Sequence, residues 1–425
     1  MKKLLNHRVF AVATGLCTIV ATSMGCRDAN SVPMASHEPN YLFSKAMEIK
    51  EEVELNDSLL QTKDLLTQWF GTLHDPKIPE LLKDGDYSDL FTEENLKLAA
   101  GTATNPGLYA SQQCVSCHGH TGQGRGSVAA SQDPYPRDFR AGIFKFKGTP
   151  LAAKPRKEDI ARVLKQGLSG TQMPIFDKLS DEQIQALVDY VVYLSIRGDV
   201  ERRLLRTASS NDGKLDDIKD AAEEALTQVA DRWIAAEDSF EEFPTPEIPL
   251  VGAVASDDAA LAQSIEKGKE LFRATNCAQC HGLEANGIGT KPPDYDNWTK
   301  EWTVDINIAP TNVDELLPLM ALGGMKPQII KPRNIVEGHL RGGRDPMDIY
   351  RRIRYGIPGG PMPAAAIVQS REEQGLLEED LWHLVNYVLS IAQVPPPPVS
   401  AQPDGEPNGK PDGQPDGQKV AQTTP

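Results

Sequence analysis

Cys114-Val115-Ser116-Cys117-His118 and Cys277-Ala278-Gln279-Cys280-His281 are the stretches on which the fold turns. Each is a C-x-x-C pair followed directly by histidine, and around each the sequence repeats itself in order. Leu108-Tyr109 and Leu271-Phe272 stand at the same distance before their motifs. Pro136-Arg137-Asp138 is echoed by Pro332-Arg333-Asn334. Asp159-Ile160 with Arg162 and Gly167 returns as Asp348-Ile349 with Arg351 and Gly356. Gly167-Leu168-Ser169-Gly170-Thr171-Gln172-Met173-Pro174 aligns without a gap on Gly356-Ile357-Pro358-Gly359-Gly360-Pro361-Met362-Pro363, and Leu187-Val188-Asp189-Tyr190-Val191 on Leu384-Val385-Asn386-Tyr387-Val388. One chance match is cheap; an ordered series of them marks an internal duplication. The second copy carries an insertion between His281 and Pro332 that holds Trp298, Trp302, Met320 and Met325.

Two thiols three positions apart on a helical turn reach the two vinyl groups on one edge of a haem. The next residue then presents imidazole to the iron from the same side. A redox dithiol needs no following histidine. A structural zinc would have to join two pairs held in separate domains. Two covalently bound haem c groups are therefore expected, one on Cys114, Cys117 and His118, the other on Cys277, Cys280 and His281. Of the six cysteines only Cys17 and Cys26 remain, which leaves no pair for a disulfide in the body of the chain. Arg137 and Arg333 follow proline at matched positions. A guanidinium there suits the haem carboxylates; the alternative is a loop arginine in solvent. Phe144-Lys145-Phe146-Lys147 reads either as a cationic rim beside the first haem or as a strand-like loop.

The chain has 425 residues, 40% hydrophobic, with a formal net charge of −16. No basic stripe is present for phosphates, so nucleic acid is not an expected partner. The acidity suits solubility and steering toward a basic protein. Residues 1–26 read as a secretory signal: a basic start through Arg8, an apolar run from Val9 to Val20, then Ala21-Thr22-Ser23-Met24-Gly25-Cys26. Gly25-Cys26 is similar to the end of a bacterial lipoprotein signal, with Ser23 where leucine is usual. Lipidated Cys26 would attach the protein to the periplasmic side of a membrane; ordinary cleavage and an uncleaved anchor are the other readings.

Helical spacing of Leu59, Leu60, Leu65, Leu66, Trp69 and Phe70 predicts a helical extension over 41–104. The first haem domain is expected over 105–198 and the second over 257–394. Between them, 199–256 reads as an acidic connector with an amphipathic helix on Ile218, Ala222, Ala225, Val229 and Trp233. Pro395-Pro396-Pro397-Pro398 opens a tail, 395–425, whose repeated Pro-Asp-Gly composition is that of disorder.

With these residues in hand, each domain resembles class I cytochrome c, over about half of the chain. The resemblance implies an all-α fold: two tandem helical bundles, each around one haem, with the helix before C-x-x-C-H crossing a last helix. Those last helices are expected at 181–195 and 379–393. It also implies a sixth iron ligand, a methionine commonly followed by proline, which Met173 and Met362 match. Met320, Met325 and His339 are rivals for the second site. Methionine–histidine ligation fills both axial positions, which favours electron transfer over catalysis. The expectation is an electron carrier between redox proteins at the membrane, donor and acceptor unnamed. The alternatives are the cytochrome subunit of a dehydrogenase or oxidase complex, or a di-haem peroxidase. The last needs an iron with an open position, against which both Met-Pro loops speak.

Overall fold

The computed structural model describes residues 36–252, 258–295, 308–394 and 400–401. The fold is all-α, as expected, and among the described residues the strands are confined to two-residue pairs. The signal, Cys26, Trp298 and Trp302 lie outside the described residues.

The extension supplies α1 (Tyr41–Glu51), α2 (Asn56–Phe70) and α3 (Glu93–Ala100). The first haem domain adds α4 (Leu108–Ser111), α5 (Cys114–His118), α6 (Lys157–Gln166) and α7 (Asp181–Ser209). A reciprocal cap starts α7: the Gln183 amide donates to Ser180 Oγ (3.3 Å) and the Ser180 amide to Gln183 Oε1 (2.9 Å). The closing helix does not stop near residue 195 as the sequence reading had it. Val200, Leu204, Leu205 and Ala208 continue its apolar face and are fully buried, so it runs on under α1 and α2. Gly198, midway, is where the chain passes closest: a Cβ there would run into the Arg140 side chain. Part of what looked like connector is thus the second half of a domain helix. The connector's own helix, α8 (Ile218–Asp238), buries Ala222, Ala225, Leu226, Val229 and Trp233 against α7.

Among the described residues, the second domain has α9 (Asp258–Ala274), α10 (Cys277–His281), α11 (Val313–Ala321) in the insertion, α12 (Pro346–Tyr355) and α13 (Glu378–Ile391). Crossing of α9 and α13 is the main helix contact here, and Gly268 lets it be close: a Cβ would strike the His383 carbonyl. In the first domain α3 takes the crossing place against α7, separated from the haem motif by the loop Gly101–Gly107. The paired positions Asp189 and Asn386 do the same work on both closing helices. Asp189 accepts from Asn95 Nδ2 (2.7 Å) and Lys157 Nζ (2.8 Å), while Asn386 donates to Ser264 Oγ and the Pro249 carbonyl (both 2.8 Å). Each ties its helix to the chain entering the domain.

Two elements reach further than expected. Helix α11 packs Leu316 and Leu319 on Leu42, Phe43 and Met47, so the extension touches the second domain's insertion as well as the first domain. Of the tail read as disordered, Ser400 and Ala401 are described, and they are held in place. The Ala401 amide donates to the Ile175 carbonyl (2.8 Å) and Ser400 Oγ to Asp177 Oδ1 (2.6 Å), beside Met173-Pro174.

Candidate haem sites

Both C-x-x-C-H motifs sit on one helical turn, α5 and α10, each ended by a glycine at positive φ, Gly119 and Gly282. The histidines make the same bond. His118 Nδ1 lies 2.9 Å from the Arg137 carbonyl and His281 Nδ1 lies 3.0 Å from the Arg333 carbonyl. A carbonyl only accepts, so Nδ1 carries the proton and Nε2 keeps its lone pair for a metal. Apolar surroundings disfavour the charged ring and lower both histidine pKa values, which keeps the imidazoles neutral. Phe139 stacks on His118 with centroids 4.5 Å apart and fixes the ring plane.

The loop behind each histidine is a repeated piece of backbone. The Gly124 amide donates to the His118 carbonyl and the Gly287 amide to the His281 carbonyl, both at 2.8 Å. Gly124 and Gly287 have φ of 69° and 81°, and a Cβ on either would come within 2.8 Å of the Pro136 or Pro332 carbonyl. This close approach delivers the arginine carbonyls to the imidazoles. The sequence offers the Arg137 and Arg333 side chains either to haem carboxylates or to solvent. The structure shows what that reading missed, that their main-chain oxygens orient the histidines. A backbone acceptor leaves no side-chain signature, though the shared Pro-Arg was a signal that the position mattered.

The four motif cysteines are half-buried. Burial pushes the Cys114 thiol up to about 12 and raises Cys277, the reverse of an activated redox dithiol. Among the described residues no group of three or more His, Cys, Asp or Glu is placed to hold a metal ion by itself. The buried surroundings of Cys114 and Cys277, beside a neutral, oriented imidazole in each motif, fit haem attachment.

Met173 and Met362 end matched loops. Gly167 and Gly356 stop α6 and α12 with φ of 61° and 71°. The Leu168 amide then donates to the Met173 carbonyl (3.1 Å), and Ile357 to that of Met362 (3.0 Å). Met173 is half-buried on the core that includes Cys114, Val115 and Phe139. Of the rivals, Met320 packs on the cluster of Leu42, Phe43 and Met47, and His339 Nδ1 is 2.8 Å from Ser169 Oγ of the first domain. His383 bonds Ser264 Oγ (2.8 Å), and His120 is exposed.

Residues 102–191 match the family model of cytochrome c oxidase, cbb3-type, subunit III, and residues 265–392 that of cytochrome c. The chain carries two cytochrome c domains in tandem. Such domains carry covalently bound haem c and transfer electrons. No curated protein matches the chain. A solved chain of the reducing HAO-like protein complex of Kuenenia stuttgartiensis is 24% identical, covering 71% of this chain and 97% of its own, with a TM-score of 0.41. Among the described residues of the tandem cytochrome, no helix is long and apolar enough to cross a membrane.

Proposed function

We propose that the protein is an exported di-haem electron carrier, with Cys114, Cys117, His118 and Met173 serving one haem and Cys277, Cys280, His281 and Met362 the other. It passes electrons between redox proteins at the periplasmic face of a membrane, to which lipidated Cys26 attaches it. The observation that carries this reading is the repeated arrangement of both sites. In each, an arginine carbonyl accepts from the histidine Nδ1 and so leaves Nε2 for the iron, and a glycine-initiated loop closes on a Met-Pro. The haem would supply the redox chemistry; Cys114, Cys117, Cys277 and Cys280 would hold it, and His118, Met173, His281 and Met362 would be its iron ligands. With both protein ligands bound, no place would remain for peroxide, which speaks against the peroxidase reading.

Purified holoprotein is expected to retain the mass of two haems after acid–acetone extraction. Ferric haem bound by thioether sulfur gives a weak near-infrared band, and Met173→Ala and Met362→Ala are each expected to remove one haem's share of it. Each substitution is also expected to lower that haem's potential. A band untouched by Met362→Ala, or carbon monoxide binding readily to the ferrous wild type, defeats this assignment. A second reading, a cytochrome subunit of an oxidase complex, is favoured by the first domain's match to subunit III of a cbb3-type oxidase. Co-purification with a detergent-solubilised oxidoreductase would separate a fixed subunit from a free carrier.

A further inference from the structure

The two cytochrome domains meet through equivalent positions. Gly170 and Gly359 are partners in the duplication, and both lie against the other domain. A Cβ on Gly170 would be 3.1 Å from His339 Cγ; one on Gly359 would be 3.2 Å from Ile143 Cγ2 and 3.5 Å from Arg137 Nη1. His339 follows Arg333 by six residues and Ile143 follows Arg137 by six, so they too are partners. Phe146 and Gly342, nine residues on, meet each other: a Cβ on Gly342 would be 2.8 Å from Phe146 Cβ. Arg162 of α6 pairs with Asp348 of α12, whose counterparts are Arg351 and Asp159. Position i of one domain touching j of the other, and j touching i, is the signature of a two-fold interface, here within a single chain.

Chemistry at the two equivalent contacts is matched. Where the first domain has a hydroxyl, the second opposes it with a ring nitrogen: Ser169 Oγ to His339 Nδ1, 2.8 Å. Where the second has Pro358, which cannot make that bond, the counterpart of His339 is the apolar Ile143, which lies against Gly359. The first loop gains another cross-domain bond, from Arg341 Nη2 to the Gly170 carbonyl (2.7 Å). Inside that loop the Met173 amide donates to Thr171 Oγ1 (3.1 Å), and the Met173 carbonyl accepts from Leu168. Such a braced turn passes a displacement at Ser169-Gly170 on to Met173 rather than absorbing it.

We infer that each domain buttresses the other's sixth-ligand loop, and that His339 and Arg341 of the second domain are positioning residues for Met173 of the first. The inference rests on the methionine reading above and adds that the first haem's ligation is set partly by the second domain. Coupling between the haems then has a mechanical route: the His339–Arg341 segment leaves the same stretch of chain whose Arg333 carbonyl orients His281.

The test uses the full-length holoprotein, with Met173→Ala identifying the first haem's potential and its share of the near-infrared band. His339→Ala, Ser169→Ala and Arg341→Gln are each expected to weaken that share and lower that potential, while the second haem's signals stay. Ser169→Ala removes one hydroxyl from a half-buried loop and keeps the test available if His339→Ala does not fold. Because Ser169 and His339 share a contact, the double substitution is expected to equal either single one. Arg341→Lys, which can still donate to the Gly170 carbonyl, is expected to restore the band. A wild-type band that ignores all three substitutions, or a shift confined to the second haem, overturns the inference alone. A wild type without the band overturns the methionine reading and the inference with it.

Discussion

Tyr109 shows how much one hydroxyl distinguishes the two halves of the duplication. Its ring meets Tyr190 edge-on at 5.2 Å, and its hydroxyl donates to the Gly119 carbonyl (2.9 Å), the residue that ends the first haem helix. The partner position is Phe272, which packs on Tyr387 (5.3 Å) with no hydroxyl to give. There the Gly282 carbonyl takes the Ala285 amide (3.0 Å) instead; Gly119 has the longer bond from Gly122 (3.3 Å). Because the Gly119 carbonyl keeps that second donor, Tyr109→Phe is expected to cost only about 1 kcal/mol, the net worth of a hydrogen bond with one partner deleted. Urea unfolding of the holoprotein measures it; a loss well above this range would mean that the hydroxyl also holds the haem helix in place. The site was legible at this scale where it depends on side chains at fixed spacing. Cys114, Cys117, His118 and their counterparts announce themselves, and so do the two Met-Pro pairs. The Arg137 and Arg333 carbonyls do not, since every residue has one. The Ser169–His339 contact also escaped, because its two ends are distant in sequence and neither lies in the haem motifs.

Among elements, the loop after each haem helix is the piece in which the copies diverge most instructively. The fourth residue after each histidine accepts the bond that closes the loop: Gly122 from the Phe139 amide and Ala285 from Ile335, both at 2.8 Å. Both sit at positive φ, 71° and 55°, but only one of them is glycine. An L residue in that region costs roughly 1–2 kcal/mol. Gly122→Ala adds that cost and a Cβ 2.9 Å from Phe139 Cδ2, on the ring that stacks against His118. It is expected to lower the melting temperature and to disturb the first haem's spectrum. Ala285→Gly removes the strain, offset by roughly 0.4–1 kcal/mol of extra freedom in the unfolded chain. The expected result is a stability unchanged or slightly raised. Destabilisation by Ala285→Gly would show that its buried methyl matters more than its backbone. Helices were easier to read than their ends. Alternating charge hid the continuation of α7, because Asp199, Glu201, Arg202 and Arg203 interrupt the apolar residues that carry it beyond Gly198. Their presence in a buried helix is explained only by their partners, which sequence does not show.

Those partners organise the molecule as a whole. Beneath the extension, Asp138 holds Arg140 through a double hydrogen bond (3.1 and 2.8 Å), both side chains buried. Arg202 of α7 lies 4.2 Å over the Phe43 ring of α1, and the Asn40 amide donates to Glu201 Oε1 (2.9 Å). The extension, the loop that orients His118 and the long closing helix therefore converge on one buried set of charges. Burial by itself would raise the Asp138 pKa, but Arg140, then Arg125 and Arg202, outweigh it and hold the carboxyl below its ordinary value. The sign follows. A carboxylate depressed in the folded state adds stability in full above its unfolded pKa of about 3.9, and that stability disappears as pH falls through the folded value. Asp138→Asn discharges the same group at every pH and leaves Arg140 buried beside two other guanidiniums, at a cost of roughly 3–5 kcal/mol for breaking a buried pair. Wild type and variant are therefore expected to differ strongly in urea midpoint at pH 7 and to converge in acid, once the wild-type carboxyl takes up its proton. Limited proteolysis at neutral pH is expected to release the 41–104 extension from the variant first, since its anchoring charges lose their counter-ion. A gap between the two proteins that stays constant from neutral to acid pH would show that Asp138 acts by shape rather than charge. The convergence of extension and haem loop would then have to rest on apolar packing, that of Phe70, Leu96 and Ala99 in the core that includes Phe139.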